Sequence, residues 1–137
     1  MAKIFIDTAH LLAVLIESDG LHEKATAEGD RLSRQQVEFV TTPLVLAELL
    51  AAVSRRGPWT RSRAVAFVER LRAEPSVTVW PLTPELFDDA LALFKARPDQ
   101  RYSLTDCASM VVSHRLNVTQ ILTADRDFEN EGFEIRL

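Results

Sequence analysis

Asp7, Glu48, Asp106 and Asp125 are the residues whose type and placement suggest chemistry. Asp7 closes the apolar run Ile4-Phe5-Ile6, and Asp125 follows Ile121-Leu122-Thr123-Ala124. Each therefore falls where a buried strand gives way to a loop. Glu48 lies in the helix-like stretch Pro43-Leu44-Val45-Leu46-Ala47-Glu48-Leu49-Leu50, where a largely covered glutamate needs a partner. Asp106 falls in the first turn of a helix opened by Ser103-Leu104-Thr105. In open α/β sheets the ligand crevice lies beyond the carboxyl ends of the strands. Acids gathered there repel one another unless a cation joins them. Magnesium prefers few carboxylates, several waters and phosphate oxygens, so the pattern predicts an acidic metal site for phosphate chemistry.

Each acid also has an ordinary reading. Asp106 at a helix start gains about 0.3–1 kcal/mol from the macrodipole, Asp125 can cap a short helix, and Asp7 can satisfy groups at a strand end. It is the joint placement that favours a shared site. Zinc is disfavoured, because three histidines and one cysteine occur without ligand spacing. His10, His22 and His114 read as packing or surface residues, and Cys107 as a small buried side chain. With four glycines and no glycine-rich loop, phosphate-loop and dinucleotide-binding fingerprints are excluded.

The elements that must position these acids are legible from periodicity. Strands are expected at Lys3–Asp7, Val37–Thr41, Val77–Trp80 and Thr119–Thr123, with a short terminal one at Phe133–Arg136. Between them lie helices from Leu11 to Ile16, His22 to Gln35, Pro43 to about Arg56, one capped by Thr60, one from Pro84 to Phe94, and one from Ser103 to Arg115. Ser103 and Asp106 approximate a capping box. Strands alternating with helices indicate a parallel α/β sheet in one domain spanning residues 1–137. The chain is 47% hydrophobic and 26% charged, as ordinary globular proteins are. No apolar run approaches the roughly 20 residues of a membrane span, and no signal-peptide pattern is visible. With a single cysteine, a cytoplasmic location is expected.

Net charge is −4, which argues against nonspecific coating of nucleic acid. The average hides a basic segment: Arg55, Arg56, Arg61, Arg63, Arg70 and Arg72 stand against one acid, Glu69. Such a segment can hold a nucleic-acid backbone or an acidic peptide, or simply be a solvated helix face.

Four segments carry a family resemblance: Phe5-Ile6-Asp7-Thr8, Thr42-Pro43-Leu44-Val45-Leu46-Ala47-Glu48, Tyr102-Ser103-Leu104-Thr105-Asp106-Cys107-Ala108-Ser109, and Ile121-Leu122-Thr123-Ala124-Asp125-Arg126-Asp127-Phe128 followed by Gly132-Phe133. In this order the chain resembles the PIN-domain ribonucleases, and especially the VapC-type toxins of toxin–antitoxin pairs. The resemblance implies a three-layer α/β/α fold with a central parallel sheet of four to five strands. It implies an endoribonuclease using Mg²⁺ or Mn²⁺, with Asp7, Glu48, Asp106 and Asp125 as catalytic metal ligands and Thr8 and Thr105 in support. Asp127 departs from the histidine often found there; it either adds a distant ligand or caps the last helix, and the cap is favoured. The implied partners are RNA, a small antitoxin and a second copy of the chain, docked through the apolar helices around Leu44–Val53 and Val65–Leu71. Other readings are a PIN-like RNA- or protein-binding module without nuclease activity, and a receiver-like regulator, disfavoured by the order of its acids and lysine.

Overall fold

A computed structural model describes residues 2–137. Its centre is a five-stranded, wholly parallel sheet in the order β3-β2-β1-β4-β5. The strands are β1 (Lys3–Ile6), β2 (Glu38–Thr41), β3 (Val77–Val79), β4 (Gln120–Leu122) and β5 (Glu134–Ile135). Ile4, Phe5 and Ile6 are all buried, although successive side chains leave opposite faces. Both faces of β1 are therefore covered, as the unbroken apolar run requires. Six helices do the covering: α1 (Thr8–Leu15), α2 (His22–Arg34), α3 (Pro43–Val53), α4 (Pro58–Ala73), α5 (Pro84–Ala96) and α6 (Leu104–Arg115). A 3-10 turn spans Arg126–Glu131.

The strand order determines where a site can form. From β1 the chain steps to β2 and β3 on one side, then returns to lay β4 and β5 on the other. The carboxyl ends of β1 and β4 thus flank the point where the winding reverses, which is where open α/β sheets leave a crevice. Their register aligns Phe5 with Ile121 and Ile6 with Leu122, and Asp7 N–H donates to the Leu122 carbonyl at 3.2 Å. The residues just past both strands therefore meet.

Three boundaries on the first side of the sheet differ from the sequence expectation in ways that bear on the helices, beside shifts of one or two residues elsewhere. Helix α1 begins at Thr8 rather than Leu11, with Asp7 in the extended cap position. Helix α3 ends at Val53, short of Arg56. Helix α4 starts at Pro58 rather than after Thr60, because Gly57 takes a φ of +90° and lets the chain turn directly into a proline-led first turn. Gly132, at φ +87°, similarly closes the 3-10 turn and releases the chain into β5. The Ser103–Asp106 capping box is present in full.

Histidines serve packing. His10 Nε2 meets the Ala25 carbonyl at 3.0 Å, His22 Nδ1 meets that of Ala13 at 2.8 Å, and His114 lies 4.6 Å from the Phe133 ring. Cys107 is buried, and desolvation pushes its thiol up to about 11, which makes it a poor nucleophile. No helix among the described residues is long and apolar enough to cross a membrane.

Candidate metal centre

Asp7, Asp106 and Asp125 converge. One carboxylate oxygen from each lies within 4.8 Å of the others. They reach this point from three elements: the end of β1, the first turn of α6, and the loop beyond β4. Helix α6 feeds β4, which enters from the sheet's amino edge, so its first turn stands at the carboxyl edge beside Asp7.

In each carboxylate one oxygen has a hydrogen-bond partner. Asp7 Oδ2 accepts from the Thr123 hydroxyl at 2.8 Å. Asp106 Oδ2 accepts from Ser103 N–H at 3.0 Å, and Asp125 Oδ1 accepts from Asp127 N–H at 2.9 Å. These bonds fix the rotamers. Asp7 Oδ1, by contrast, is buried with no donor in good hydrogen-bond geometry, the Thr8 N–H being near enough only to offset part of the pKa rise. A buried carboxylate oxygen without a donor is expensive, and a cation is the partner that suits three acids at once.

The electrostatics agree with the geometry. Asp7 is 3% exposed, and its pKa rises from 3.8 to about 7. Burial is the main cause, with repulsion from Asp106 and Glu48 adding to it and the Thr123 hydroxyl pulling the other way. Asp106 rises from 3.8 to about 6, again chiefly through burial, opposed by its bonds to Ser103 and increased by Asp125 and Glu48. Like charges are crowded into a partly dry crevice.

Glu48 corrects an expectation. It is half-buried rather than largely covered, and it stands outside the three-carboxylate group, although near enough to raise both Asp7 and Asp106. Thr8 is buried and its hydroxyl is unpartnered, like Asp7 Oδ1. Thr105 is half-buried, and its carbonyl accepts from Ser109 Oγ at 2.9 Å. Asp127 is not the cap: Asp125 occupies the cap position and takes the Asp127 N–H, because its side chain is the one placed before the turn.

Thr123 was not singled out by sequence. It is fully buried, donates to Asp7 and accepts from Asp125 N–H at 3.1 Å, joining two of the acids. The available signal was a hydroxyl residue at the end of a buried strand, two positions before an acid. A cavity of about 780 Å³ between α1, α2 and α4 is lined by His10, Leu11, Phe39, Phe67 and Leu71, but by none of the four acids.

The PIN domain model matches residues 4–133, nearly the whole chain. The chain belongs to the PIN-domain family. Among solved structures it is similar to VapC20 of Mycobacterium tuberculosis, described as a sarcin-ricin loop cleaving toxin, at 26% identity and a TM-score of 0.82, with 96% of each chain covered. PAE2754 from Pyrobaculum aerophilum shares the fold at 16% identity and a TM-score of 0.65, covering 98% of this chain and 89% of that one. FitAcB from Neisseria gonorrhoeae does so at 16% and 0.64, covering 98% and 96%. No curated protein sequence matches this chain. Membership of the PIN family makes a nuclease the activity class for this acidic crevice.

Proposed function

We propose that this PIN domain is a divalent-metal-dependent endoribonuclease and the toxin of a type II toxin–antitoxin pair. The observation that carries the nuclease reading is the convergence of Asp7, Asp106 and Asp125, of which Asp7 keeps a buried oxygen, Oδ1, without a hydrogen-bond partner. Likeness to VapC20, described as a sarcin-ricin loop cleaving toxin, supports the toxin role.

Asp7, Asp106 and Asp125, with Glu48 beside them, would hold one Mg²⁺ or Mn²⁺. A bound ion of this kind lowers the pKa of its water and neutralises charge on the phosphoryl oxygens. The protein's own contribution is positional. Thr123, Ser103 N–H and Asp127 N–H each hold one carboxylate oxygen and leave the other without a side-chain or backbone donor of this kind, so the three groups stay oriented where they meet. Asp7 must be ionised to act as a ligand, so occupancy releases its proton near neutral pH. Thr8 and Thr105 support the site, Thr8 with an unpartnered hydroxyl next to Asp7. On this reading the protein works as one domain in the cytoplasm, on RNA.

Two protein partners accompany the proposal. A small antitoxin would place an arginine fork among the carboxylates and displace the ion. A second copy would dock on α5, where Phe87, Leu91 and Phe94 are 42%, 48% and 49% exposed at i, i+4 and i+7. Of the apolar residues expected to serve that purpose, Val45, Leu46, Leu49 and Val53 on α3 are in the core, while Val65 on α4 is 49% exposed.

The test is cleavage of structured RNAs by purified protein with Mg²⁺ or Mn²⁺, with and without chelator, together with mapping of cleavage sites across cellular RNA. Cleavage is expected to stop in chelator and in Asp106→Asn. Cleavage that survives both overturns the metal mechanism. Co-expression with the neighbouring gene tests the pair. Equal growth with and without that gene, and no copurifying small protein, overturns the toxin role.

A further inference from the structure

The arginine-rich segment noted in the sequence folds into the α3–α4 turn and helix α4, outside the acidic crevice. Arg55, Arg56, Arg61, Arg70 and Arg72 are exposed there and Arg63 is half-buried, while Glu69 is the one acid between Arg55 and Arg72. In the first turn of α4, Trp59 is 71% exposed, and the Arg63 guanidinium lies over its ring, 4.8 Å from the centroid. Arg63 also reaches Glu17 at 3.8 Å, which helps hold it in place. Arg61 donates to the Ser54 carbonyl at 2.8 Å and ties the turn to the helix. Beside this surface is a hollow of about 650 Å³ whose lining includes Leu50, Pro58, Arg61 and Val65.

We propose that the α3–α4 turn and the start of α4 form an RNA-docking surface, in which Trp59 stacks on an unpaired base while Arg55 and Arg56 contact the flanking phosphates. This rests on the ribonuclease reading for its ligand and extends it to a second site. An exposed indole with a cation on one face offers a flat platform on the other, and unpaired bases stack on such platforms regardless of sequence. A polyanion complements a dense group of arginines. A second copy of this chain does not, since a twofold contact would set these arginines against themselves. An acidic peptide would answer the charge but has no flat group for the indole. The surface is set apart from the acids: Arg63 meets Glu17 just past the end of α1, and the turn follows the end of α3 away from Thr42.

Fluorescence anisotropy with a labelled hairpin RNA carrying an unpaired loop tests this, using the same stem as a blunt duplex for comparison. Cleavage is prevented by working with the Asp7→Asn protein in chelator. Trp59→Ala is expected to weaken hairpin binding about tenfold or more, with Trp59→Phe restoring most of it. The hairpin should bind more tightly than the duplex. Arg55→Gln with Arg56→Gln should lower the slope of log affinity against log salt by about 0.7 per arginine removed. Unchanged affinity in Trp59→Ala, or equal binding of hairpin and duplex, overturns the stacking surface. So does a Trp59→Ala protein whose only change is its mass by light scattering, which assigns the patch to a protein contact. Failure of the wild-type protein to cleave any RNA, with Trp59-dependent binding intact, sinks the nuclease reading and leaves the docking surface standing.

Discussion

Replacing Asp7 by asparagine tests the acidic site through folding rather than through cleavage. The Asp7 carboxyl is 3% exposed, and burial together with repulsion from Asp106 and Glu48 raises its pKa from 3.8 to about 7. A folded-state pKa above the unfolded value means that the native state holds the proton more tightly. Its ionisation therefore costs the metal-free fold nothing well below the unfolded pKa, a growing amount from there up to about pH 7, and a constant amount above. A rise from 3.8 to about 7 corresponds to about 4 kcal/mol. Asparagine removes that cost and keeps an oxygen for the Thr123 hydroxyl, but it leaves a buried amide N–H₂ where Oδ1 lies, at about 1–3 kcal/mol. In chelator near pH 8, Asp7→Asn is expected to be more stable than wild type by about 1–3 kcal/mol, the advantage shrinking as pH falls towards that of the unfolded carboxyl. Urea denaturation at the two pH extremes measures it. Adding Mn²⁺ to about 100 times its dissociation constant should then return about 2.7 kcal/mol to wild type and much less to the variant. If the variant is less stable by the same amount at both pH values, and both proteins respond equally to Mn²⁺, Asp7 is a structural residue at a strand end and no shared site exists.

Thr123→Val removes the donor to Asp7 and the acceptor for Asp125 N–H; it should cost about 1–3 kcal/mol and lower Mn²⁺ affinity about 10–100-fold by calorimetric titration, an unchanged affinity contradicting its orienting role. Mn²⁺ affinity and RNA cleavage should both fall as pH drops through about 7, where Asp7 takes up its proton, and a flat profile from pH 8 to 6 contradicts that assignment. Tyr102→Phe removes a hydrogen bond of 3.0 Å to Glu131, which is also gripped by Arg97 through two contacts of 3.1 Å; thermal denaturation should show a loss near 1.5 kcal/mol, and no loss would mean that Arg97 alone holds the turn. Leu91→Glu, in the middle of the exposed α5 stripe, should convert a dimer to a monomer by light scattering, and a wild-type protein already monomeric at micromolar concentration removes that face as the contact.

What the sequence made legible follows from how local each signal is. All five strands and six helices were expected, because buried parallel strands are continuous apolar runs and Thr42-Pro43 and Thr83-Pro84 announce helix starts. The shift of α4 to Pro58 was hidden, since it depends on a positive φ at Gly57 that composition alone does not reveal. The site's acids were legible, and their joint placement at strand ends and a helix start predicted the shared site in which Asp7, Asp106 and Asp125 meet. Thr123 was missed because its hydroxyl matters through Asp7, which lies 116 positions away, across the pairing of β4 with β1. The exposure of Glu48 was misjudged from its apolar neighbours, which face the core while its own side chain lies at the rim.

The capping and metal-binding readings of these acids, set against each other at the level of sequence, describe two oxygens of the same groups. Asp106 does complete a capping box and Asp125 does cap the 3-10 turn. A cap uses one carboxylate oxygen and, in doing so, freezes the direction of the other. Three acids that repel one another are thus held within 4.8 Å, each restrained by a neutral donor on its own element or strand partner. Asp7 differs in one respect. Its cap position carries no cap hydrogen bond, and its donor is the distant Thr123. It is therefore the acid with the least local support and the deepest burial of the three, and its pKa is raised further than that of Asp106. Structural need alone gives no reason for an ionisable group there, since asparagine would accept from Thr123 equally well. A charge kept at that position points to a positively charged ligand, so the strain on Asp7 is the strongest physical argument for the site.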